Sequence, residues 1–167
     1  MEHIAEAINQ AQAYLRDHPA EARYPDSIAT AVISDGLVCI VSGPSGPSMQ
    51  TDMPASVGGS ALAAPPGWYM RAAAASCVAT LVAMRAASVG KALSGLSVTV
   101  GSESDDRGIL GVDEAIPSGP FSMNISIAAE GIAGAELREI AEWAVKHCPV
   151  TDAIARAVPL TTEVRPG

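Results

Sequence analysis

The stretch from Trp68 to Val89 most constrains the fold, because it is long, apolar and rich in alanine. It predicts a helix that follows Pro66 and Gly67 and stops at Gly90, a residue suited to the left-handed position after a helix. Two arginines interrupt it, so we expect a buried helix of a soluble protein rather than a membrane span. Its apolar stripe, at helical spacing, consists of Met70, Ala73, Cys77, Leu81, Met84 and Ser88.

The first third of the chain predicts a helix followed by a small antiparallel sheet. Residues 1–20 have apolar side chains at helical spacing and predict an amphipathic helix. Residues 27–34 and 37–43 predict two strands around Asp35-Gly36, a pair typical of a type I′ turn. Residues 43–67 are rich in Pro, Gly and Ser and predict a long loop, with a short strand from Ser48 to Met53.

The second half of the chain predicts two strands, then two helices and a last strand. Alternating residues at 96–103 and 121–131 predict two strands, separated by a polar excursion at 105–119. Helices are predicted at 134–147 and 149–157, and a last strand at 158–164. Strands grouped around helices, without strict alternation, favour an α+β fold. The chain contains neither a GxGxxG nor a P-loop motif, which excludes the usual dinucleotide and nucleoside triphosphate sites.

The charge of the chain indicates which kinds of molecule it could bind, and its cysteine content indicates the cellular compartment. The formal charge of −8 argues against binding to nucleic acid or an anionic membrane, which need clustered Lys and Arg. An uncharged or apolar small molecule suits such a surface better. The three cysteines follow a charged start that does not resemble a secretory signal, so we expect free thiols in a reducing, cytoplasmic compartment.

Two cysteines lie in contexts that suggest redox chemistry. Pro149 suits a first helical position, which would place Cys148 at the N-cap, where free amides favour a thiolate. The alternative is that Cys148 is a small apolar plug between two helices. Cys77, on an apolar stripe, could equally be a core residue. Because the two lie far apart in the sequence, only the fold can bring them together.

These residues resemble the OsmC/Ohr family of osmotically inducible and organic hydroperoxide resistance proteins. The resemblance covers residues 27–164 and rests on Cys77 in a helix opened by Pro66, then a strand pair, then a helix ending in Cys148-Pro149. It implies an α+β fold with antiparallel sheets around the central Cys77 helix, in an intertwined homodimer. Residues 21–167 would form this domain. Residues 1–20 would form a helical extension that caps the dimer or covers the substrate entrance.

The resemblance also implies roles for the site residues. Cys77 would attack the peroxide and Cys148 would resolve the sulfenic acid as a disulfide, which a lipoyl-type dithiol would reduce. An apolar pocket lined by Met70, Leu81 and Met84 would favour organic, lipid-like hydroperoxides. No cofactor is expected. The acidic residues of 102–114 lack regular ligand spacing, and the cysteines and histidines show no ligand signature, so no metal is expected.

The chain departs from the peroxidase members of the family at one place. Those members have a carboxylate one or two residues after the helix-opening proline, paired with an arginine that holds the first cysteine as a thiolate. Here the two positions are Gly67 and Trp68. Arg71 and Arg23 are the candidate cations for activating Cys77, although neither residue 67 nor residue 68 is a carboxylate that could hold an arginine in place. The departure leaves a second hypothesis open, that the protein is a non-catalytic dimer acting as a thiol redox sensor or as a binding module for an apolar ligand. A purely structural dimer, whose cysteines only pack, is a weaker third.

Overall fold

The computed structural model describes residues 2–166, which divide into two compact units, each described by itself. The element order is that of an α+β fold with two antiparallel sheets, as the sequence predicts. Among the described residues, one unit comprises residues 6–73, and the other comprises residues 2–5 and 74–166. The domain division at residue 20 stays a prediction.

The first helix and the first sheet follow the sequence pattern closely. Helix α1 spans Glu2–Asp17 and buries none of its residues. Strands β1 (Thr30–Asp35), β2 (Val38–Ser42) and β3 (Ser48–Thr51) form an antiparallel sheet in the order β1-β2-β3. Short 3-10 helices at Pro19–Ala22 and Ala55–Val57 were not predicted.

The turn between β1 and β2 differs from the predicted type I′ turn. Asp35 pairs with Val38, so the two loop residues are Gly36 and Leu37 rather than Asp35 and Gly36. Gly36 has φ of +53°, whereas Leu37 is not among the residues with positive φ. A type I′ turn needs positive φ at both central positions, so that prediction was wrong. A glycine at the first central position alone is typical of the type II′ turn.

A buried carboxylate organises the loop after β3. Asp52 is 1% exposed, and its oxygens accept backbone N–H bonds from Met53 at 2.7 Å and from Ser60 and Leu62 at 3.0 Å. The phenol of Tyr69 donates to the carbonyl of Gln50 at 2.8 Å. The loop therefore has a fixed path from the end of β3 to the start of the next helix.

Helix α2, Pro66–Ser88, confirms the long predicted helix and supplies the core. Gly90 ends it with φ of +70°, and Lys91 donates its N–H to the carbonyl of Ala86, as in a Schellman motif. The fully buried row is not the Cys77 stripe but the adjacent one, which consists of Ala74, Val78, Val82 and Ala86. In the described chain, α2 alone is long and apolar enough to span a membrane, a test that core helices of soluble proteins also pass.

The second unit contains a two-stranded sheet and three more helices. Strands β4 (Ser94–Glu103) and β5 (Ser122–Glu130) pair antiparallel, and the excursion between them contains the short helix α3 (Asp106–Ile109). Helices α4 (Gly134–His147) and α5 (Pro149–Ala155) follow. No strand forms at residues 158–164, so the predicted last strand was wrong.

The core of this unit lies between α2 and α4. Its buried members are Val78, Val82, Ala86, Ile140, Ala144 and Cys148. Partly buried side chains from β4 and β5, including Val98 and Ile127, pack against them. Small residues on both helices allow a close approach, which explains how a core forms in a chain with one phenylalanine.

A candidate dithiol site between helices α2 and α4

Cys148 lies at the junction of α4 and α5 and is completely buried. It is the C-cap of α4 and the N-cap of α5, as predicted, and Pro149 follows at the first helical position. Its sulfur accepts the N–H of Thr151 at 3.5 Å. The side chain of Cys148 is therefore also part of the core, so the two interpretations of this residue are compatible.

Cys77 lies on α2 and its thiol meets that of Cys148. Cys77 is partly exposed and packs against the buried core to which Cys148 belongs. The two thiols lie within hydrogen-bonding reach of each other. Both cysteines are free, so the structure represents the reduced dithiol. The fold thus brings together two residues that the sequence separates.

The two thiols differ in acidity. Burial, followed by the hydrogen bond to Cys148, raises the pKa of Cys77, while the Val150 N–H acts in the opposite direction. Burial also acts to raise the pKa of Cys148, but the N–H of Thr151 and the Cys77 thiol outweigh it, so the pKa of Cys148 is lowered. The two thiols therefore titrate as a coupled pair whose surroundings favour the thiolate of Cys148 over that of Cys77.

A family model described as OsmC-like protein matches residues 58–163, which include both cysteines and the whole of α2, β4, β5, α4 and α5. The chain belongs to the OsmC-like family. No curated protein sequence matches it significantly.

Solved OsmC-like structures share the fold at low sequence identity. An organic hydroperoxide resistance protein OsmC from Legionella pneumophila is 21% identical, covers 79% of this chain and 90% of its own, and has a TM-score of 0.60. An OsmC like protein from Mycoplasma pneumoniae is 15% identical, with coverage of 81% and 91% and a TM-score of 0.66. The organic hydroperoxide resistance protein OhrB of Bacillus subtilis is 15% identical, with coverage of 77% and 90% and a TM-score of 0.53.

The positions where a carboxylate was expected in an OsmC-like peroxidase lie in the first turn of α2. Gly67 and Trp68 are both exposed there. Arg71 lies one turn further along, 3.8 Å from where a Cβ on Gly67 would be. Arg23 follows the 3-10 helix and is exposed. The largest influences on the pKa of Cys77 come from burial and from the second thiol, rather than from a cation.

The expected pocket residues Met70, Leu81 and Met84 are all partly buried on α2. Leu81 packs against the core that holds Cys148. Two cavities described within the separate units are lined by other residues. One, of about 390 Å³, lies beside β2 and β3 and is lined by Ile28, Pro44, Pro47 and Met49 among others. The smaller one, of about 150 Å³, lies beside Lys91 and Glu136. A pocket formed by the three expected residues stays a prediction.

The remaining candidate residues have other surroundings. Cys39 lies in β2 opposite Thr51 and is partly buried. His147 stacks on Trp143, with ring centroids 4.2 Å apart, and is exposed. Among residues 2–166, no group of three or more His, Cys, Asp or Glu side chains could hold a metal ion.

Sequence reasoning missed the residues that surround the Cys148 sulfur. Thr151 binds it through the backbone amide, and Val150 presents its amide to both thiols. A threonine three residues after an N-cap is a common helix residue, so its type gives no signal. The predicted cap at Cys148 was the usable clue, since the N-cap side chain binds the amide two or three residues later.

Proposed function

We propose that the protein reduces organic hydroperoxides with Cys77 and Cys148. The observation that carries this proposal is the proximity of the two thiols within an OsmC-like fold. The similar structures from Legionella pneumophila and Bacillus subtilis are organic hydroperoxide resistance proteins, which supports the proposal.

The proposed reaction is a two-electron reduction of the peroxide bond. The Cys77 sulfur attacks the distal oxygen of ROOH, the O–O bond breaks, and the alcohol ROH leaves with a proton. Cys148 then attacks the sulfur of the Cys77 sulfenic acid, which forms a disulfide and releases water. In sum, two thiols and ROOH give a disulfide, ROH and water. A lipoyl-type dithiol would return the disulfide to two thiols.

The surroundings of Cys77 favour an apolar substrate. Leu81 lies one turn beyond Cys77, and Met84 lies about two turns beyond it. Together with Met70, these side chains would contact the organic part of a lipid-like hydroperoxide. The net charge of −8 is compatible with an uncharged substrate, and a cytoplasmic location would keep the dithiol reduced.

A second copy of the chain is the proposed partner, in a homodimer. The unit of residues 6–73 buries one apolar side chain, Val38, while all six residues of β1 are exposed. Val32 and Ile33, neighbours in β1 that point to opposite faces, are each 61% exposed. Apolar side chains left uncovered on both faces of one strand support a surface that a second chain could cover. Sedimentation should show a dimer that Val32→Glu weakens; a monomer at micromolar concentration would remove the proposal.

Thiol oxidation tests the enzymatic function directly. On addition of one equivalent of cumene hydroperoxide, the protein should lose two thiols per chain, and peptide mapping should find Cys77 joined to Cys148. Cys77→Ser should abolish peroxide consumption, and Cys148→Ser should stop at the sulfenic acid. Cys39→Ser is the matched control and should react as the unaltered protein does. Persistence of both thiols in the folded protein would refute the proposal.

A non-catalytic role is the second candidate, favoured by Gly67 and Trp68 and by the raised pKa of Cys77. A redox sensor would form the Cys77–Cys148 disulfide once, without sustained turnover when dihydrolipoamide is supplied. An apolar-ligand module would bind a fatty acid while both thiols stay reduced. Steady-state consumption of cumene hydroperoxide with dihydrolipoamide separates the enzyme from both alternatives.

A further inference from the structure

Helix α1 has an apolar face whose side chains remain partly or fully open to solvent. No residue of this helix is buried; Ile4 and Ile8 are partly covered, and Leu15 is 45% exposed. An amphipathic helix gains most of its stability when its apolar face packs against another element. The face is therefore a candidate docking surface, and its residues indicate what would cover it.

The apolar residues of this face have the spacing of a helix that pairs with another helix. They recur alternately at intervals of four and three residues, as the a and d positions of a heptad repeat do. The row consists of Ile4, Ile8, Ala11 and Leu15. Alanines at residues 5 and 7 flank it on either side, and small side chains there let two helix axes approach closely.

The polar residues of α1 lie away from this row and interact with one another. The Gln10 amide donates to the carboxylate of Glu6 at 3.3 Å, one turn earlier. The net charge of −8 disfavours an anionic membrane as the occupant of the apolar face. A second helix with the same heptad spacing fits the face better.

An antiparallel copy of α1 would match the size of the side chains in the row. In that orientation each a position faces a d position of the other helix. Ile4 of one copy then faces Leu15 of the other, and Ile8 faces Ala11. Each of the four layers thus contains at least one large aliphatic side chain, and the two central layers pair it with a small one.

The charges at the ends of α1 also favour the antiparallel orientation. Glu2 and His3 lie at its N-terminal end, and Arg16 and Asp17 lie at its C-terminal end, all exposed. In an antiparallel pair, Glu2 lies at the same end and on the same side as Arg16 of the other copy, and His3 lies likewise with Asp17. A parallel pair would bring each charge toward its own copy and would align the two helix dipoles unfavourably.

We propose that α1 packs antiparallel against α1 of a second copy of the chain. The inference rests on the proposed homodimer and adds a second contact to it, because two heptads are too short to join two chains by themselves. Between copies already held together, such a contact forms at a high effective concentration. The match to the family model begins at residue 58, so the family resemblance does not account for α1.

Disulfide cross-linking tests the orientation and the register together. The full-length chain with Cys39→Ser, Cys77→Ser and Cys148→Ser provides a background without thiols. In it, Ile4→Cys is co-expressed with Leu15→Cys, and the purified protein is oxidised with copper phenanthroline. Peptide mapping shows which positions are joined, sedimentation reports the dimer, and circular dichroism reports folding.

The matched control is the co-expressed pair Glu6→Cys and Ala13→Cys. These residues have the same register in the antiparallel pair, but both lie opposite the apolar row. We expect residue 4 of one copy to be joined to residue 15 of the other as the main product, with little product from the control. A dimer without this mixed disulfide would overturn the inference and leave the proposed homodimer standing, whereas a monomer would refute both. Preferential joining of residue 4 to residue 4 would also overturn it, as would equal yields from the two pairs.

A charge placed in the row provides a second measurement in the otherwise unaltered protein. Ile8→Glu should raise the dissociation constant of the dimer about tenfold or more, because the carboxylate would be buried between the helices in both copies. Ala13→Glu adds the same charge on the outer face and should leave the constant unchanged. Equal dissociation constants for the two folded variants would overturn the inference. Neither measurement uses a peroxide, so the result is independent of whether the dithiol is catalytic.

Discussion

The thiols of Cys77 and Cys148 lie within hydrogen-bonding reach of each other, and the two residues therefore ionise as a pair. The buried thiol is the more acidic one, because backbone amides and the second thiol favour its thiolate. The more exposed thiol keeps its proton. Accessibility and acidity are thus divided between the two sulfurs.

This division predicts opposite effects of the two cysteine variants. The Cys77 side chain lowers the pKa of Cys148. Cys77→Ser replaces that thiol with a hydroxyl group, which should interact less favourably with the Cys148 thiolate, so the pKa of Cys148 should rise. Cys148→Ser removes the neighbouring thiolate and should lower the pKa of Cys77, which burial would still keep raised. Thiolate absorbance in the Cys39→Ser background measures both. Shifts in the same direction would contradict a hydrogen-bonded pair.

The hydrogen bonds of the Asp52 carboxylate predict how the stability of the folded protein changes in acid. Backbone N–H bonds, with that of Leu62 foremost, lower the pKa of its carboxyl group against the effect of burial. A lowered folded-state pKa stabilises the protein above the unfolded value, near 3.9, and this stabilisation is lost as pH falls through the folded value. Asp52→Asn should therefore lower the melting temperature at pH 7 by about 4 °C or more.

The pH dependence separates this carboxylate effect from simple loss of packing. The difference in melting temperature between Asp52→Asn and the unaltered protein should be largest at pH 7 and should narrow below about pH 4, because the carboxyl group of Asp52 takes up a proton first in the unfolded chain and, at lower pH, in the folded protein. Asp26→Asn, at an exposed position, serves as the control and should change little. A difference that stays constant from pH 7 to pH 3 would contradict the ionised, hydrogen-bonded state of Asp52.

The sequence predicted helices and strands well where the spacing of apolar residues agreed with the glycine and proline residues that end an element. Gly90 ended α2 as expected, and the alternation in β5 placed its strand almost to the residue. The sequence did not predict which face of α2 is buried. Nearly every position in that helix is apolar, so a 3.6-residue period does not distinguish the Cys77 stripe from the Val78 row beside it. The facing helix α4, with Ile140, selects the row.

Other parts of the site depend on tertiary structure that no local pattern encodes. Residues 158–164 alternate as a strand would, yet no strand pairs with them in the described chain. A strand needs a neighbour, and alternation does not supply one. Asp52 lay in a loop predicted from Pro, Gly and Ser content, and its burial follows from the path of that loop. The dithiol itself was predicted by resemblance, whereas Thr151 required coordinates.

Packing between α2 and α4 predicts the largest stability losses in the unit that contains the dithiol. Val82 is fully buried among Ala86, Ile140 and Ala144, so Val82→Ala removes two methyl groups and leaves a cavity. The expected cost is about 2–3 kcal/mol of unfolding free energy. Denaturant unfolding monitored by tryptophan fluorescence measures this cost. The control is Leu160→Ala, at a side chain that is 92% exposed, for which a loss above about 0.5 kcal/mol would contradict the described packing.

The loop that Asp52 organises has no room for a side chain at Gly59. A Cβ at this position would lie 1.8 Å from the carbonyl oxygen of Met53, a backbone atom that cannot turn aside. Gly59→Ala must therefore displace the loop, and the Asp52 bonds to Ser60 and Leu62 should weaken with it. We expect a loss of about 2 kcal/mol or more, together with faster amide hydrogen exchange at residues 60 and 62. Gly119→Ala is the matched control, since a Cβ there has no neighbour within 4 Å. Equal stability of the two variants would show that the backbone of Met53 does not approach Gly59 as closely as the structure has it.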